Sequence, residues 1–501
     1  MARKKPSKET SEFSPATCEG HVLVCGGSAA SKDADPANSR KESAKLEAAA
    51  ALQRDLAMAR TIARLVDERG GRTFFVGGCV RDKLMGIQAK DLDLEVHGIE
   101  PACLRELLEG LGHCSERGAS FGILALDGYG LDIAQPRRER AIGVHHTDFE
   151  VDVDPFIGTY EAAIRRDFTI NALMEDVLTG EVIDHFNGVA DLQAGILRHV
   201  SEASFAEDPL RVLRAAQFAA RFEFKLAPET ISLCSTMDLT ALSKERVMGE
   251  LEKALLKAER PSLFFETLRE MEQLDTWFPE VAALVGVQQP PQYHPEGDVW
   301  AHTMCVIDQA VKSRDQATWP LAFMLAALAH DFGKPATTEL IDGRWRAFGH
   351  ENEGVAVAHV FIRRLTAERK LATYVESMVK LHMRPNAIVG CAKKAKSFNR
   401  LFDSSVSPED LLLIAKSDYL GCGGTSAEAY SKTEEALRGR LADYRELMAR
   451  PHVTGEDLIK AGLKPGPQFS EALAYAHKMR LAGIAKERVL QSTLGYVRTL
   501  K

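Results

Sequence analysis

The sequence predicts a small α+β head followed by two all-helical regions. Three observations carry this reading. Residues 73–184 mix short β-prone runs with helical stretches. After about residue 190, apolar residues recur at spacings of three and four. The run Gln288-Gln289-Pro290-Pro291-Gln292 then breaks the helical pattern in two. The expected divisions are a disordered tail over 1–43, a head over 44–188, a helical neck and body over 189–287, a second helical domain over 288–425 and a helical tail over 426–501. The first segment is rich in Lys, Ser, Pro, Ala, Asp and Gly and lacks periodicity.

The elements follow in order. A helix is expected from Ala44 to Glu68, stopped by Gly70-Gly71. Thr73–Val76 is a short β-prone run ending in Gly77-Gly78. From Asp91 to Val96 polar and apolar residues alternate, as in a half-buried strand. Ile123–Leu126 and Leu131–Ala134 read as strands around Gly128, and Val182–Asp184 as another. Helical periodicity then marks Asp208–Phe222, Lys244–Lys257 and Pro261–Glu272, and a longer helical region from Val299 to about Tyr419. A turn is expected at Gly462–Pro467.

Composition excludes several classes. The 501 residues carry a formal net charge of −8, which rules out a generally basic nucleic-acid coat but not a local basic groove. Nine cysteines without a Cys-x-x-Cys pair read as reduced thiols of a cytoplasmic protein. The longest apolar run, Leu321–Ala329, is too short to span a bilayer, so no membrane partner is expected. No secretory core segment is seen, and Glu9, Glu12, Glu19 and Asp33 argue against an organellar leader. The chain is expected to act as a monomer or homodimer.

The first chemical constellation is Val76-Gly77-Gly78-Cys79-Val80-Arg81-Asp82, followed by Asp91-Leu92-Asp93. Two glycines after a strand let backbone N–H groups approach a triphosphate. Asp91 and Asp93 are two apart on a strand, so both carboxylates leave one face. Beside a phosphate cradle, such a pair suits Mg²⁺. A lone Gly-Gly is usually a turn and a lone Asp-x-Asp usually a solvated strand face. Their combination on a strand–turn–helix–strand pattern favours chemistry. Asp132, on Leu131-Asp132-Ile133, is a candidate third carboxylate; an exposed strand residue is the plain alternative.

This run resembles the signature of the class II tRNA nucleotidyltransferase and poly(A) polymerase family. Arg165-Arg166-Asp167-Phe168-Thr169-Ile170-Asn171 is similar to the family's second motif, Asp184 to Gly188 to its head–neck motif, and Glu207-Asp208-Pro209-Leu210-Arg211 to its nucleotide-selecting motif. Arg246, Glu250 and Lys253 resemble the next neck motif. The resemblance spans roughly residues 72 to 420 with the motifs in family order. It implies a polymerase-β-like nucleotidyltransferase head with Asp91, Asp93 and Asp132 catalytic. It also implies a nucleotide site lined by Gly78, Arg81, Arg137, Arg138, Arg165, Arg166, Asp167, Asn171, Asp208, Arg211 and Arg214. The expected substrates are CTP, ATP and a tRNA 3′ end, the cofactor Mg²⁺, and the reaction CCA addition; a poly(A) polymerase is the alternative.

Base choice has a chemical reading. A carboxylate only accepts hydrogen bonds and a guanidinium only donates. Cytosine and adenine both place an amino donor beside a ring-nitrogen acceptor, whereas uracil and guanine reverse the pattern. Asp208 and Arg211, three apart, would share a helix face and accept C and A. A surface ion pair is the plain alternative. Gln135-Pro136-Arg137-Arg138-Glu139-Arg140, leading to Gly143 and His145-His146, resembles the flexible segment of CCA-adding members, with cations able to hold a primer backbone.

A second constellation lies in the later helices: His302, the adjacent His330-Asp331, and Asp418 far downstream. One His-Asp pair is weak evidence. The set supplies mixed N/O ligands for a divalent transition metal, which can generate hydroxide for phosphate-ester hydrolysis. It resembles the HD phosphohydrolase superfamily, which implies His302, His330, Asp331 and Asp418 as ligands to Ni²⁺, Mn²⁺, Co²⁺ or Mg²⁺. His350 and His382 match extra histidines of bacterial multifunctional members, in which the domain hydrolyses 2′,3′-cyclic phosphates and phosphomonoesters. A hydrolase with a non-catalytic RNA-binding head is the remaining alternative.

Overall fold

A computed structural model of the chain describes residues 36–88, 91–117, 123–141, 149–390 and 394–499. The first helix, Pro36–Asp67, begins at Pro36 rather than Ala44, so the last part of the expected tail is helical. Proline is favoured at a first helical position, where its missing N–H needs no partner. The rest of the tail, residues 1–35, lies outside the described residues.

The head is built on one sheet. Its strands are β1 (Arg72–Val76), β2 (Leu92–His97), β3 (Cys114–Arg117), β4 (Ile123–Leu126) and β5 (Leu131–Ala134). A separate two-stranded ribbon follows, β6 (Arg137–Ala141) with β7 (Phe149–Val153). Then β8 (Met174–Asp176) and β9 (Val182–Ile183) rejoin the main sheet, whose order is β3-β4-β5-β2-β1-β8-β9. β1 runs antiparallel to β2, and β2 runs parallel to β5. The parallel register sets Asp93 directly beside Asp132, on the face opposite Leu92 and Leu94. Within the segment read as similar to a flexible one, Arg137–Ala141 is strand β6, paired antiparallel with β7. Gly143, His145 and His146 lie outside the described residues, as does the side chain of Arg138.

Beyond the head the described residues are mostly helical, with two exceptions; the first is a short parallel pair, Ile196–Leu197 with Lys225–Leu226. The second is an antiparallel hairpin, Thr338–Ile341 with Arg344–Ala347, inside the region expected to be all helix. Its turn, Asp342-Gly343, has φ of 50° and 71°, as a two-residue hairpin turn requires.

Gln288–Gln292 does not separate two cores. One apolar core continues from Phe168 and Leu213 through Phe264 and Val306 to Phe323, Phe361 and Leu441. Polar links cross the same boundary. Arg314, buried, donates from Nη1 to the carbonyls of Leu255 (2.9 Å) and Ala258 (3.0 Å), where the helix Lys244–Lys257 ends. Arg364 pairs with Glu280 through two 2.6 Å bonds. Arg314→Met keeps the bulk and orphans both carbonyls. It is expected to cost about 1–3 kcal/mol, read as a lower urea midpoint with unchanged slope. The last three helices, Gly455–Lys460, Gln468–Leu481 and Lys486–Thr499, enclose a separate small core around Leu458, Ala472 and Val489. Among the described residues no helix is long and apolar enough to cross a membrane.

Candidate active sites

The first site is a cleft of about 660 Å³ between the head sheet and the helix Leu210–Phe222. Its floor comes from the end of β1. Gly77 has φ 68°, and a Cβ there would come 3.1 Å from Arg166 Nη1, so both the turn and the close arginine require glycine. The chain then enters the short helix Gly78–Leu84.

Asp93 and Asp132 both line the cleft; Asp91 is exposed and stands just before β2, outside the lining. Burial pushes the Asp93 pKa up; Arg166 opposes this, while Asp132 and Asp91 add to it. Carboxylates whose like charges repel gain from a cation between them. The all-oxygen donor set fits a hard ion such as Mg²⁺.

Facing these acids is a wall of cations. The lining holds ten Arg and Lys side chains against five carboxylates. An excess of this sign, in a chain that is acidic as a whole, suits a polyphosphate and an RNA backbone. Arg165, Arg166 and Arg137 contribute from the head, Arg211, Arg214 and Arg221 from the helix Leu210–Phe222, and Arg246, Lys253 and Lys257 from the helix Lys244–Lys257.

Some of the expected ligands that line the cleft are also tied to one another. Arg81 is buried, bonded to Asn171 and Asp82, and its guanidinium lies over Phe218 (5.3 Å) and Phe222 (4.7 Å). Asn171 donates to Asp167 (2.9 Å), which also takes Nε of Arg214 at 2.8 Å. Burial would raise the Asp167 pKa, but Arg214 and its hydrogen bonds hold it below the usual range. These four side chains tie the second motif to the helix Leu210–Phe222, so Arg81, Asp167 and Asn171 shape the cleft more than they offer free groups to it.

Asp208 and Arg211 both border the cleft, but not as a pair on one helix. The helix begins at Leu210, after Pro209, and Asp208 precedes it, accepting from Leu210 N at 3.1 Å. Asp208 is held by Arg246 Nη2 through both oxygens, at 3.0 and 2.8 Å. Arg211 donates to the carbonyls of Ser204 (2.6 Å) and Arg165 (2.7 Å). Each is locked from behind by a different element, which fixes an acceptor and a donor at the cleft edge.

Glu95 escaped the sequence reading. It shares the face of Asp91 and Asp93 and lines the cleft. Arg166 and Arg165 approach its Oε2 at 3.3 and 3.8 Å, and His97 its Oε1 at 2.9 Å. Burial would raise its pKa, but the His97 hydrogen bond and the arginine charges lower it from 4.5 to about 2. A depressed carboxylate stabilises the fold above its unfolded pKa and loses that contribution as pH falls through the folded one. The shift corresponds to about 3 kcal/mol. Glu95→Gln is therefore expected to lower unfolding free energy by about that much at pH 7. The gap should close as pH drops from 4.5 toward 2, as followed by urea melts. Gln217 was also missed; it lines the cleft, and its buried Nε2 has no hydrogen-bond partner among the described residues.

The second site is a cavity of about 300 Å³ among the later helices. His302 comes from the helix Val299–Arg314, His330 and Asp331 follow the helix Pro320–Ala329, and Asp418 comes from the helix Pro408–Gly421. His302 Nε2 lies 3.1 Å from Asp418 Oδ1 and 3.4 Å from His330 Nε2, and His330 Nε2 lies 3.2 Å from Asp331 Oδ2. Behind them, His302 Nδ1 meets Glu296 Oε1 at 2.9 Å and His330 Nδ1 meets the Ala327 carbonyl at 2.8 Å. Such outer contacts take the Nδ1 proton and leave Nε2 as a lone pair facing inward. Burial would raise the Asp331 pKa, but His330 and Lys334, whose Nζ is 2.6 Å away, hold it well below the usual range. The N/O donor set, buried and converging, fits a divalent transition metal. His350 and His382 line the same cavity on the other side of Asp331. Glu296 is a further residue that sequence reasoning missed, because it supports His302 from six residues upstream without belonging to the His-Asp pattern. The Gln288–Gln292 run also contributes, since Gln289 Oε1 accepts from Lys334 Nζ at 2.6 Å.

Comparison with known proteins places this architecture. Residues 73–198 match the family described as Poly A polymerase head domain, and residues 223–284 match that described as Probable RNA and SrmB- binding site of polymerase A. Head and cleft thus define a nucleotidyltransferase of the poly(A) polymerase class. A multifunctional CCA protein of Mannheimia succiniciproducens is 37% identical over 380 residues, covering 72% of this chain and 87% of that one. One from Xanthomonas campestris pv. campestris (strain B100) is 36% identical over 439 residues, 84% of this chain and 100% of the relative. The chain belongs to the multifunctional CCA protein family. The fold is shared with a Thermotoga maritima CCA-adding enzyme complexed with tRNA_CCA (TM-score 0.56, 21% identity, 88% and 95% of the two chains). It is also shared with a Bacillus stearothermophilus CCA-adding enzyme in complex with CTP (TM-score 0.60, 22% identity, 88% and 96%).

Proposed function

We propose that this chain adds or repairs the 3′-terminal CCA of tRNA from CTP and ATP, and that its second site hydrolyses phosphate esters. The observation carrying the first part is the juxtaposition of Asp93 and Asp132 on neighbouring parallel strands with a cation-rich wall across one cleft. Asp91 and Asp93 would hold Mg²⁺, with Asp132 beside them. Bound there, the ion lowers the pKa of a primer 3′-hydroxyl and neutralises charge on the departing pyrophosphate. The chain's own residues do the rest. The backbone at Gly77-Gly78 and the Arg165–Arg166 pair receive the triphosphate, and Glu95 aims those two arginines. Asp208 accepts from the amino group of cytosine or adenine while Arg211 donates to the neighbouring ring nitrogen; uracil and guanine offer the wrong partner to each. Arg246 and the Ser204 and Arg165 carbonyls keep that pair rigid, so side chains replace a template strand.

At the second site, His302, His330, Asp331 and Asp418 would hold Ni²⁺, Mn²⁺ or Co²⁺. When bound, such an ion supplies hydroxide at neutral pH for attack on phosphorus. Lys334, beside Asp331 in the cavity wall, is placed to meet a phosphate oxygen, and 2′,3′-cyclic phosphates and phosphomonoesters are the substrates of choice.

The test is incubation with tRNA lacking CCA and single or paired nucleoside triphosphates, with products resolved to one nucleotide. Two additions from CTP, and a third only when ATP is also present, are expected. AMP tails on unrelated RNA without C addition would replace this reading with a poly(A) polymerase.

A further inference from the structure

The chain has four tryptophans, and three of them are committed. Trp277 Nε1 donates to the Leu239 carbonyl at 2.9 Å, Trp300 lies under the Arg269 guanidinium at 5.3 Å, and the Trp319 ring meets Tyr374 at 6.0 Å. Trp345 has no hydrogen-bond, ring or cation partner among the described residues, and it stands outside the apolar cores. It is half-buried, on the hairpin between Asp331 and His350, and lines the second cavity. In the antiparallel register Leu340 pairs with Trp345 and Thr338 with Ala347, so these four share one face of the hairpin. Thr338, Trp345 and Ala347 line the cavity from that face, while Leu340 is 59% exposed. An indole held open against a cavity, with no protein ring on it, is a stacking surface for a flat ligand ring. Met383, 46% exposed and in the same lining, offers such a ring a thioether.

The polar end of the cavity carries an independent observation. Gln289 lines the cavity and is only 6% exposed. Its Oε1 is held by Lys334 Nζ at 2.6 Å, and the same Nζ lies 2.6 Å from Asp331 Oδ2. Gln289 Nε2 has no hydrogen-bond partner among the described residues. A buried N–H without an acceptor is costly, and an oxygen of a bound ligand would satisfy it. Lys334 ties Gln289 to Asp331, so that oxygen belongs to the phosphate end of the ligand. The indole is left for the other end.

We propose that the hairpin and the Gln288–Pro290 run form a nucleoside-binding mouth on this cavity. Trp345 stacks the base, Gln289 Nε2 donates to a phosphate oxygen, and nucleoside esters are taken in preference to base-free ones. The proposal rests on reading the centre as a phosphate-ester hydrolase, but concerns what the ester carries.

The test compares the full-length chain with Trp345→Ala and Trp345→Phe, each with its thermal midpoint as a folding check. The substrates are 2′,3′-cyclic AMP and glycerol 1,2-cyclic phosphate, which has the same five-membered ester and no base. Trp345→Ala should raise KM for the nucleotide about tenfold with kcat within about twofold, and should shift the glycerol ester by less than about twofold. Trp345→Phe, which keeps a ring, should recover most of the loss. Gln289→Met should weaken both esters alike. An oligoadenylate ending in the same ester, run beside the mononucleotide, distinguishes an RNA end from a free nucleotide as the source of the base. Equal effects of Trp345→Ala on both cyclic esters, or none on either, overturn the mouth. Binding is read separately, by stopped-flow quenching of tryptophan fluorescence with 2′,3′-cyclic AMP, taken as the part lost in Trp345→Phe. If the parent hydrolyses neither ester yet keeps that quench, the hydrolase reading fails and the mouth stands. Absence of the quench overturns the mouth whatever the hydrolysis.

Discussion

Alanine at Asp93 is expected to lower CMP incorporation into tRNA by about a thousandfold or more. Asp93 is the carboxylate at the centre of the head, between Asp91 on its own chain segment and Asp132 on the neighbouring strand, and inside the cleft where Asp91 is not. Removing it would take away a proposed cation ligand and leave the cation-rich wall less opposed. Binding of the triphosphate should therefore survive while the chemical step fails. Loss of about 4 kcal/mol of transition-state stabilisation is a factor of about 10³. Single-turnover incorporation on tRNA ending at the discriminator nucleotide, compared with filter binding of CTP, separates the two effects. Equal losses in both would mean that Asp93 supports the fold of the cleft and not the chemistry.

Asp331→Asn should do the corresponding thing at the other centre. Asparagine keeps the shape but removes the charge that Lys334 and four imidazoles surround. Hydrolysis of a 2′,3′-cyclic nucleotide is expected to fall by about a thousandfold, together with retention of transition metal through gel filtration. CMP incorporation should stay within about twofold, since the two centres share no ligand and substitutions at separate sites act independently. A parallel loss of incorporation would show that the later helices govern the cleft.

Much of the head was legible because its short strands are bracketed by turn residues. Ile123–Leu126 and Leu131–Ala134 flank Gly128, whose φ of 86° marks the reversal. What sequence spacing could not convey is partnership across elements. The rule that Asp208 and Arg211 share a helix face failed because the helix begins at Leu210, after Asp208; their holders, Arg246 and the Arg165 carbonyl, are distant in sequence. Arg81, expected at the nucleotide site, lines the cleft but is also bonded to Asn171, ninety residues away. Glu95 was overlooked although the alternation that picked out Asp91 and Asp93 points to it as well. The hairpin Thr338–Ala347 was lost inside a helical reading although Asp342-Gly343 is a hairpin signal. In each case local pattern set the element, and long-range hydrogen bonding set what the side chain does.

The unbroken core across Gln288–Gln292 has a thermodynamic consequence. Helices before and after that segment bury the same apolar cluster and share the Arg314 and Arg364 links. They should therefore melt as one cooperative transition, while the small C-terminal cluster around Leu458 and Val489 opens separately at lower cost. Limited proteolysis should trim the last three helices and spare the chain at Gln288. A fragment starting at that glutamine would expose to water the apolar surface that the neck helices Lys244–Lys257 and Ser262–Glu270 cover, and aggregate. The buried His-Asp centre shares no ligand with the head cleft, yet depends for its folding on the neck helices that line that cleft.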